Sequence, residues 1–226
     1  MFANVTTYHA PQTTTAKLPT LTTPQSESFM GLHGQPDADA TIRNYLRSPQ
    51  SIAFLLSGPP GTGKTSTAQF LCDQLGVDRE PLGGYEEIAS GGCTAESVSD
   101  LSRRLRLRPM SGCWRLIVVN EADLMSRTAE GIWLDILDKN SINYLPPNCT
   151  IVFTTNAPEK ISQRFCERCE EIAYVSDAQS VRDFARSEWQ RLAPGRKLPA
   201  SLHSAGIREG RTPSYRLAVK DVRRAV

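Results

Sequence analysis

The sequence predicts an α/β protein: a parallel sheet with helices on both faces, followed by a small C-terminal lid made of helices alone. Three observations carry that expectation. Between about residues 52 and 175, short apolar runs of strand length alternate with segments of helical period, as expected of strands joined by crossover helices. A glycine-rich turn, Ser57-Gly-Pro-Pro-Gly-Thr-Gly-Lys-Thr-Ser66, separates the first apolar run from the first long helix. After Val175 the strand signal stops and only helical periodicity continues.

Taken in order, residues 1–27 are rich in Thr, Pro, Gln and Ser with little hydrophobic patterning, which predicts a disordered tail. A loop then leads into a short amphipathic helix carrying Ile42, Tyr45 and Leu46 at helical spacing. Ile52–Leu56 reads as a strand and Lys64–Leu75 as a helix. Glu87–Ala89 reads as a short second strand and Ala95–Leu107 as a helix. Leu116–Val119 is a buried strand, and Ala129–Leu137 a helix in which Ile132/Ile136 and Trp133/Leu137 stack at i, i+4. Thr150–Thr154 and Ile172–Val175 complete the strands. Beyond them, Ser176 or Asp177 caps a helix to about Leu192, with Val181, Phe184, Ala185 and Trp189 facing inward. A short helix over Pro199–Ser204 follows, and Pro213 opens the last one. The expected division is a tail over 1–27, a main domain over 28–175 and a helical lid over 176–226.

A chain of 226 residues with 39% hydrophobic content and a mean hydropathy of −0.35 suits a soluble globular protein. No run approaches the roughly 20 apolar residues that span a bilayer. No secretory or transit signal is visible. Six scattered cysteines (Cys72, Cys93, Cys113, Cys149, Cys166 and Cys169) fit a reducing cytoplasm. Cys166 and Cys169 form one C-x-x-C without a second ligand pair, which disfavours structural zinc. Charge is uneven: residues 176–226 carry 11 Lys and Arg against 5 Asp and Glu, the rest 15 against 19. A basic end fits either nucleic acid or an ordinary solvated helical surface.

The turn at Gly58–Thr65 has the spacing Gly-x-x-x-x-Gly-Lys-Thr between strand and helix, a P-loop in its proper context. Gly58, Pro59, Pro60, Gly61, Thr62, Gly63, Lys64, Thr65 and Ser66 are therefore expected to cradle the phosphates of ATP. Backbone N–H groups and the following helix N-terminus offset the phosphate charge. Lys64 would reach the β- and γ-phosphates and the Thr65 hydroxyl would ligate Mg2+. The buried strand ending Val119-Asn-Glu-Ala-Asp123 stands where such proteins place an acid that holds magnesium through water and a glutamate that polarises the attacking water. Glu121 fits the second role. Asn120, an amide, can still hydrogen-bond a magnesium-bound water but carries no negative charge. It predicts slow hydrolysis, or none.

Together with Phe153-Thr-Thr-Asn156 and the Cys166-Glu-Arg-Cys169 turn, these motifs resemble the AAA+ ATPases of the clamp-loader group. That group comprises the replication factor C small subunits and the bacterial DNA polymerase III gamma and delta-prime subunits. The resemblance runs from about Phe29 to Val226. It implies a P-loop NTPase αβα sandwich with a helical lid, and a Gly31-Leu-His-Gly-Gln35 loop near adenine. Asn156 would sense the γ-phosphate. Arg168 would be a finger entering a neighbouring subunit's ATP site, with Glu167 replacing the family's serine and able to neutralise it. Arg216 would reach back from the lid to the nucleotide. The implied partners are other AAA+ subunits, DNA bound without sequence preference, and a sliding clamp. Arg103, Arg104, Arg106 and Arg108, with Arg127, could meet DNA phosphates, or else form a solvated helix flank. Asp135 stands where relatives carry a basic residue. The family's collar and zinc module have no counterpart in the sequence. Two alternatives stay open: a non-hydrolysing scaffold subunit, and a phage or mobile-element matchmaker assembling on DNA.

Overall fold

The computed structural model describes residues 29–89 and 91–226; the expected tail over 1–27 lies outside the described residues. The chain runs α1 (Pro36–Arg47), β1 (Ile52–Ser57), α2 (Lys64–Gln74), β2 (Tyr85–Ile88), α3 (Ala95–Leu105), β3 (Arg115–Val119) and α4 (Arg127–Leu137). It continues through β4 (Cys149–Thr155), α5 (Gln163–Cys166), β5 (Glu170–Ala173), α6 (Ala178–Leu192) and α7 (Tyr215–Ala225). The five strands form one parallel sheet in the order β2-β3-β4-β1-β5.

Side-chain alternation along the strands builds two cores from one sheet. Phe54, Leu56, Leu116, Val118, Val152 and Ile172 pack beneath α1 and α2. Ala53, Leu55, Ile117, Val119, Ile151 and Phe153 pack against α3, α4 and α5. A third, separate core joins α6, α7 and the 3-10 turn Ala200–Ser204 around Val181, Trp189, Leu202, Ala218 and Val222. Helix starts follow local chemistry. Thr94 and Ser97 form a reciprocal capping box on α3, and Asp177 accepts from the Gln179 and Ser180 amides at the start of α6. No helix among the described residues is long and apolar enough to cross a membrane.

Several of the sequence-based element bounds need correction. β2 begins at Tyr85 rather than Glu87, because its ladder to β3 pairs Tyr85 with Leu116; two glutamates on an edge strand hid the signal. β5 lies two residues early, at Glu170–Ala173 instead of Ile172–Val175, since Phe54 and Leu55 of β1 pair with Glu170 and Glu171. α3 ends at Leu105, leaving Leu107 exposed. Pro213 does not open α7: Ser214 caps it, and the Pro213 carbonyl accepts from the Ser176 hydroxyl at 2.6 Å.

Phe153 is the centre of the second core, with T-shaped contacts to Trp133 at 5.0 Å and Phe165 at 4.8 Å. Phe153→Ala is expected to cost about 3–5 kcal/mol of stability, and Phe153→Leu clearly less. Urea unfolding followed by tryptophan fluorescence checks this.

Candidate functional site

The site forms where the C-terminal ends of β1, β3 and β4 meet α2. It is the edge on which open α/β sheets hold ligands. β1 sits between β4 and β5 while its chain neighbour β2 lies at the far side of the sheet, so the order reverses there and a crevice opens. The turn after β1 fills it. Gly58 has φ 137° and Gly63 φ 106°, and a Cβ at Gly58 would stand 2.2 Å from the Tyr174 carbonyl oxygen. Only glycine fits so close an approach. The Gly58 amide donates to the Thr155 carbonyl at 3.2 Å, pinning the loop to β4.

Lys64 is the first residue of α2 and is buried. Its Nζ donates to the Gly58 carbonyl (2.7 Å), the Pro59 carbonyl (2.8 Å) and Asn156 Oδ1 (2.9 Å). Burial, and next the nearby Arg216 guanidinium, bring its pKa down to about 8, with Asp123 acting in the opposite direction. Above the loop lies a cavity of about 630 Å³, within the range of small-molecule sites.

Most of the expected site residues line this cavity: Pro60, Gly61, Thr62, Gly63, Lys64, Thr65, Ser66, Asn120, Glu121, Asn156 and Arg216. Gly58 and Pro59 instead act through the carbonyls that hold Lys64. Gly31, Leu32 and His33 form a wall, and Gln35 fastens the segment by a two-way pair with Val175, Nε2 to the carbonyl at 2.7 Å and amide to Oε1 at 3.0 Å. Phe184, Tyr215 and Val219 add an apolar side that sequence reasoning missed. Phe184 was expected in the core, and it is only partly buried there. The i, i+4 spacing of Tyr215 and Val219 beside Arg216 was the available signal.

At the end of β3, Asn120 Nδ2 donates to Glu87 Oε1 at 2.5 Å, and its Oδ1 accepts from the Thr154 hydroxyl at 3.3 Å. Glu121 adopts a left-handed φ of 51° and its amide donates to Thr154 Oγ1 at 3.2 Å. Such a conformation costs a non-glycine residue about 1 kcal/mol or more, and it aims the residue away from the strand direction. Asp123 accepts from the Thr155 hydroxyl at 2.7 Å.

The donor set fits a nucleoside triphosphate: a glycine loop, an ammonium, a guanidinium and the N-terminus of an eleven-residue helix converge on one cavity. It also fits magnesium held chiefly by phosphate, water and one hydroxyl. Among the described residues no group of three or more His, Cys, Asp or Glu is placed to hold a metal alone. A Mg2+ site that keeps its waters needs no such cage, and Thr65 can supply the hydroxyl.

The remaining expected residues lie elsewhere. Arg168, just after α5, donates to the Arg164 carbonyl at 3.0 Å and to Asp138 Oδ2 at 3.3 Å, outside the cavity of its own chain. Glu167 does not neutralise it; that carboxylate accepts from Gln163 at 2.8 Å, and Asp138 is the acid beside Arg168. Arg103 pairs with Asp100, Arg104 with Glu86, and Arg106 with Asn143, while Arg108 and Arg127 are exposed. Exposed pairs like these cost little to open. Asp135 accepts from Ser141 and Asn143, each at 2.5 Å, and so ties down the loop after α4.

Residues 54–177, more than half of the chain, match the ATPase family associated with various cellular activities (AAA). The chain belongs to that family. Its relatives include the DNA polymerase III subunit tau of Bacillus subtilis, 23% identical over 164 residues, which cover 64% of this chain and 28% of that protein. They also include replication factor C subunit 4 of Encephalitozoon cuniculi, 29% identical over 129 residues, 57% of this chain and 40% of that one. The chain thus spans well under half the length of these relatives. The RuvB Holliday junction branch migration motor of Thermotoga maritima shares the fold, with a TM-score of 0.65 at 16% identity over 88% of this chain and 63% of that one.

The depressed pKa of Lys64 gives nucleotide binding a pH dependence with a definite sign. A bound polyphosphate favours the ammonium and raises its pKa, so binding above about pH 8 draws in a proton. Affinity for ATP in EDTA is expected to fall by up to about tenfold per unit above pH 8. Calorimetry at pH 8.5 in two buffers of different ionisation enthalpy should register proton uptake; release would contradict the assignment.

Proposed function

We propose that the chain is a clamp-loader-like AAA+ ATPase that couples ATP binding, and slow hydrolysis, to the handling of DNA and a sliding clamp in replication or repair. The observation that carries this reading is the division of the arginines. Arg216 of the C-terminal helices faces the cavity that contains Lys64, whereas Arg168 lies outside it. That division supports a site made from one subunit's cavity and a second subunit's finger. In this reading residues 28–175 hold the nucleotide and 176–226 close over it.

The chain's own groups divide the work as follows. The loop amides of Gly61–Ser66 and Lys64 bind the phosphates, and Lys64 gives up the Gly58 and Pro59 carbonyls to do so. Thr65 and, through water, Asn120 orient magnesium, which when bound offsets phosphate charge. Glu121 polarises the attacking water and Asn156 holds the γ-phosphate end. Arg216 acts in cis and Arg168 in the neighbouring subunit. Arg103, Arg104, Arg106 and Arg127 would meet DNA phosphates without reading sequence. The polymerase tau and replication factor C relatives support a role in DNA replication, and the free cysteines fit action in a reducing cytoplasm.

A second reading, a non-hydrolysing holder within a hetero-oligomer, is favoured by the neutral amide of Asn120. Turnover of ATP by the purified chain, with and without primed DNA, separates the two. The first reading expects slow turnover that DNA accelerates, and a Glu121→Gln chain that still binds ATP but turns over about 100-fold more slowly. A parent chain that retains ATP without making ADP supports the holder. One that binds no ATP overturns both.

A further inference from the structure

The amide at Asn120 removes a charge from the end of β3, but a carboxylate stands directly against it. Glu87, on the neighbouring strand β2, accepts from Asn120 Nδ2 through Oε1 at 2.5 Å and from the Tyr85 hydroxyl through Oε2 at 2.7 Å. The sheet fixes this pair. Glu87 is in register with Val118 and Ile88 with Val119, and the Asn120 amide N–H extends the ladder by donating to the Ile88 carbonyl at 3.0 Å. On the other side Thr154 donates to Asn120 Oδ1. Both ends of the side-chain amide are therefore assigned by their partners: the NH2 group needs the acceptor that Glu87 provides, and the oxygen takes the hydroxyl and keeps a second lone pair.

An aspartate at position 120 could not donate to Glu87, and two carboxylates at hydrogen-bonding distance would repel. Asparagine at 120 and glutamate at 87 thus suit one another. We propose that Glu87 supplies, across the Asn120 amide, the negative charge that an acid at position 120 would have given to the hydration shell of magnesium. This rests on the reading that the cavity holds nucleotide with Mg2+. The physical route is short. Asn120 lines the cavity beside Glu121 and Thr154. A carboxylate hydrogen-bonded to its NH2 group polarises the amide and strengthens its oxygen as an acceptor for metal-bound water. Tyr85 secures the second carboxylate oxygen. Burial, and then Glu87 itself, raise the Tyr85 pKa, so its hydroxyl stays a donor.

The test uses the full chain, Mn2+ as the probe and a saturating non-hydrolysable ATP analogue, with free Mn2+ read by electron paramagnetic resonance. Glu87→Gln is expected to weaken Mn2+ affinity by about tenfold while leaving nucleotide affinity in EDTA unchanged. The double variant Glu87→Gln with Asn120→Asp, which returns the charge to the end of β3, is expected to recover parent Mn2+ affinity to within about twofold. Glu86→Gln removes an equal charge one residue away, from a side chain paired with Arg104, and is expected to match the parent. Two results overturn the proposal: unchanged Mn2+ affinity in Glu87→Gln with nucleotide binding in EDTA intact, or an equal loss in Glu86→Gln. A parent chain that binds no nucleotide in EDTA overturns the underlying reading, and the proposal with it.

Discussion

A buried ammonium group with three protons needs three acceptors, and the site is organised around that requirement. Lys64 cannot be left unsatisfied in so enclosed a position without a cost of several kcal/mol. Two of its acceptors are carbonyls of the turn that precedes it, and the third is the side chain of Asn156, one residue past the end of β4. The same three bonds therefore curl the glycine turn, set the start of α2 and tie β1 to β4. Burial and the approach of Arg216 make the charge less comfortable than in water. An anion that enters the cavity relieves both effects at once. The Gly58 and Pro59 carbonyls are the partners that Lys64 would exchange for a phosphate.

The sheet supplies the geometry that this exchange needs. Because β1 lies between β4 and β5, the end of β1 faces an open crevice instead of a crossover helix. The ends of β3 and β4 then bring Asn120 and Asn156 to the same edge. Of these two strand-end amides, Asn120 stands where a carboxylate would be expected, and the acid lies one strand over at Glu87. The C-terminal helices close the remaining side, and Gln35 links the N-terminal wall to Val175 at the point where the chain leaves the sheet. The AAA fold is shared with the RuvB branch migration motor, so it is the residues around the cavity, not the fold, that carry the functional reading.

Much of this was legible in the sequence because it depends on local chemistry. The glycines of the turn, Lys64 and Thr65 are fixed by spacing alone, and the buried strands β1, β3 and β4 show as plain apolar runs. The edge strands were harder. β2 and β5 each carry two glutamates on a solvent-facing edge, where pairing with one neighbour is enough to hold a strand whose composition argues against it. The apolar side of the cavity had only a weak signal, the i, i+4 spacing of Tyr215 and Val219 beside Arg216, since Phe184 and Tyr215 look like ordinary core residues of a helical segment. The Glu87–Asn120 contact was not legible, since it joins residues 33 apart in sequence and depends on which strands are neighbours.

The central claim is that a nucleoside triphosphate occupies this cavity and engages the phosphate loop and the C-terminal helices together. Amide hydrogen exchange of the full chain, with and without ATP in EDTA, tests it most directly. The account predicts that ATP slows exchange both in Ser57–Ser66 and around the start of α7, at Tyr215–Val219. Slowing confined to the loop, or none in either segment, would contradict it.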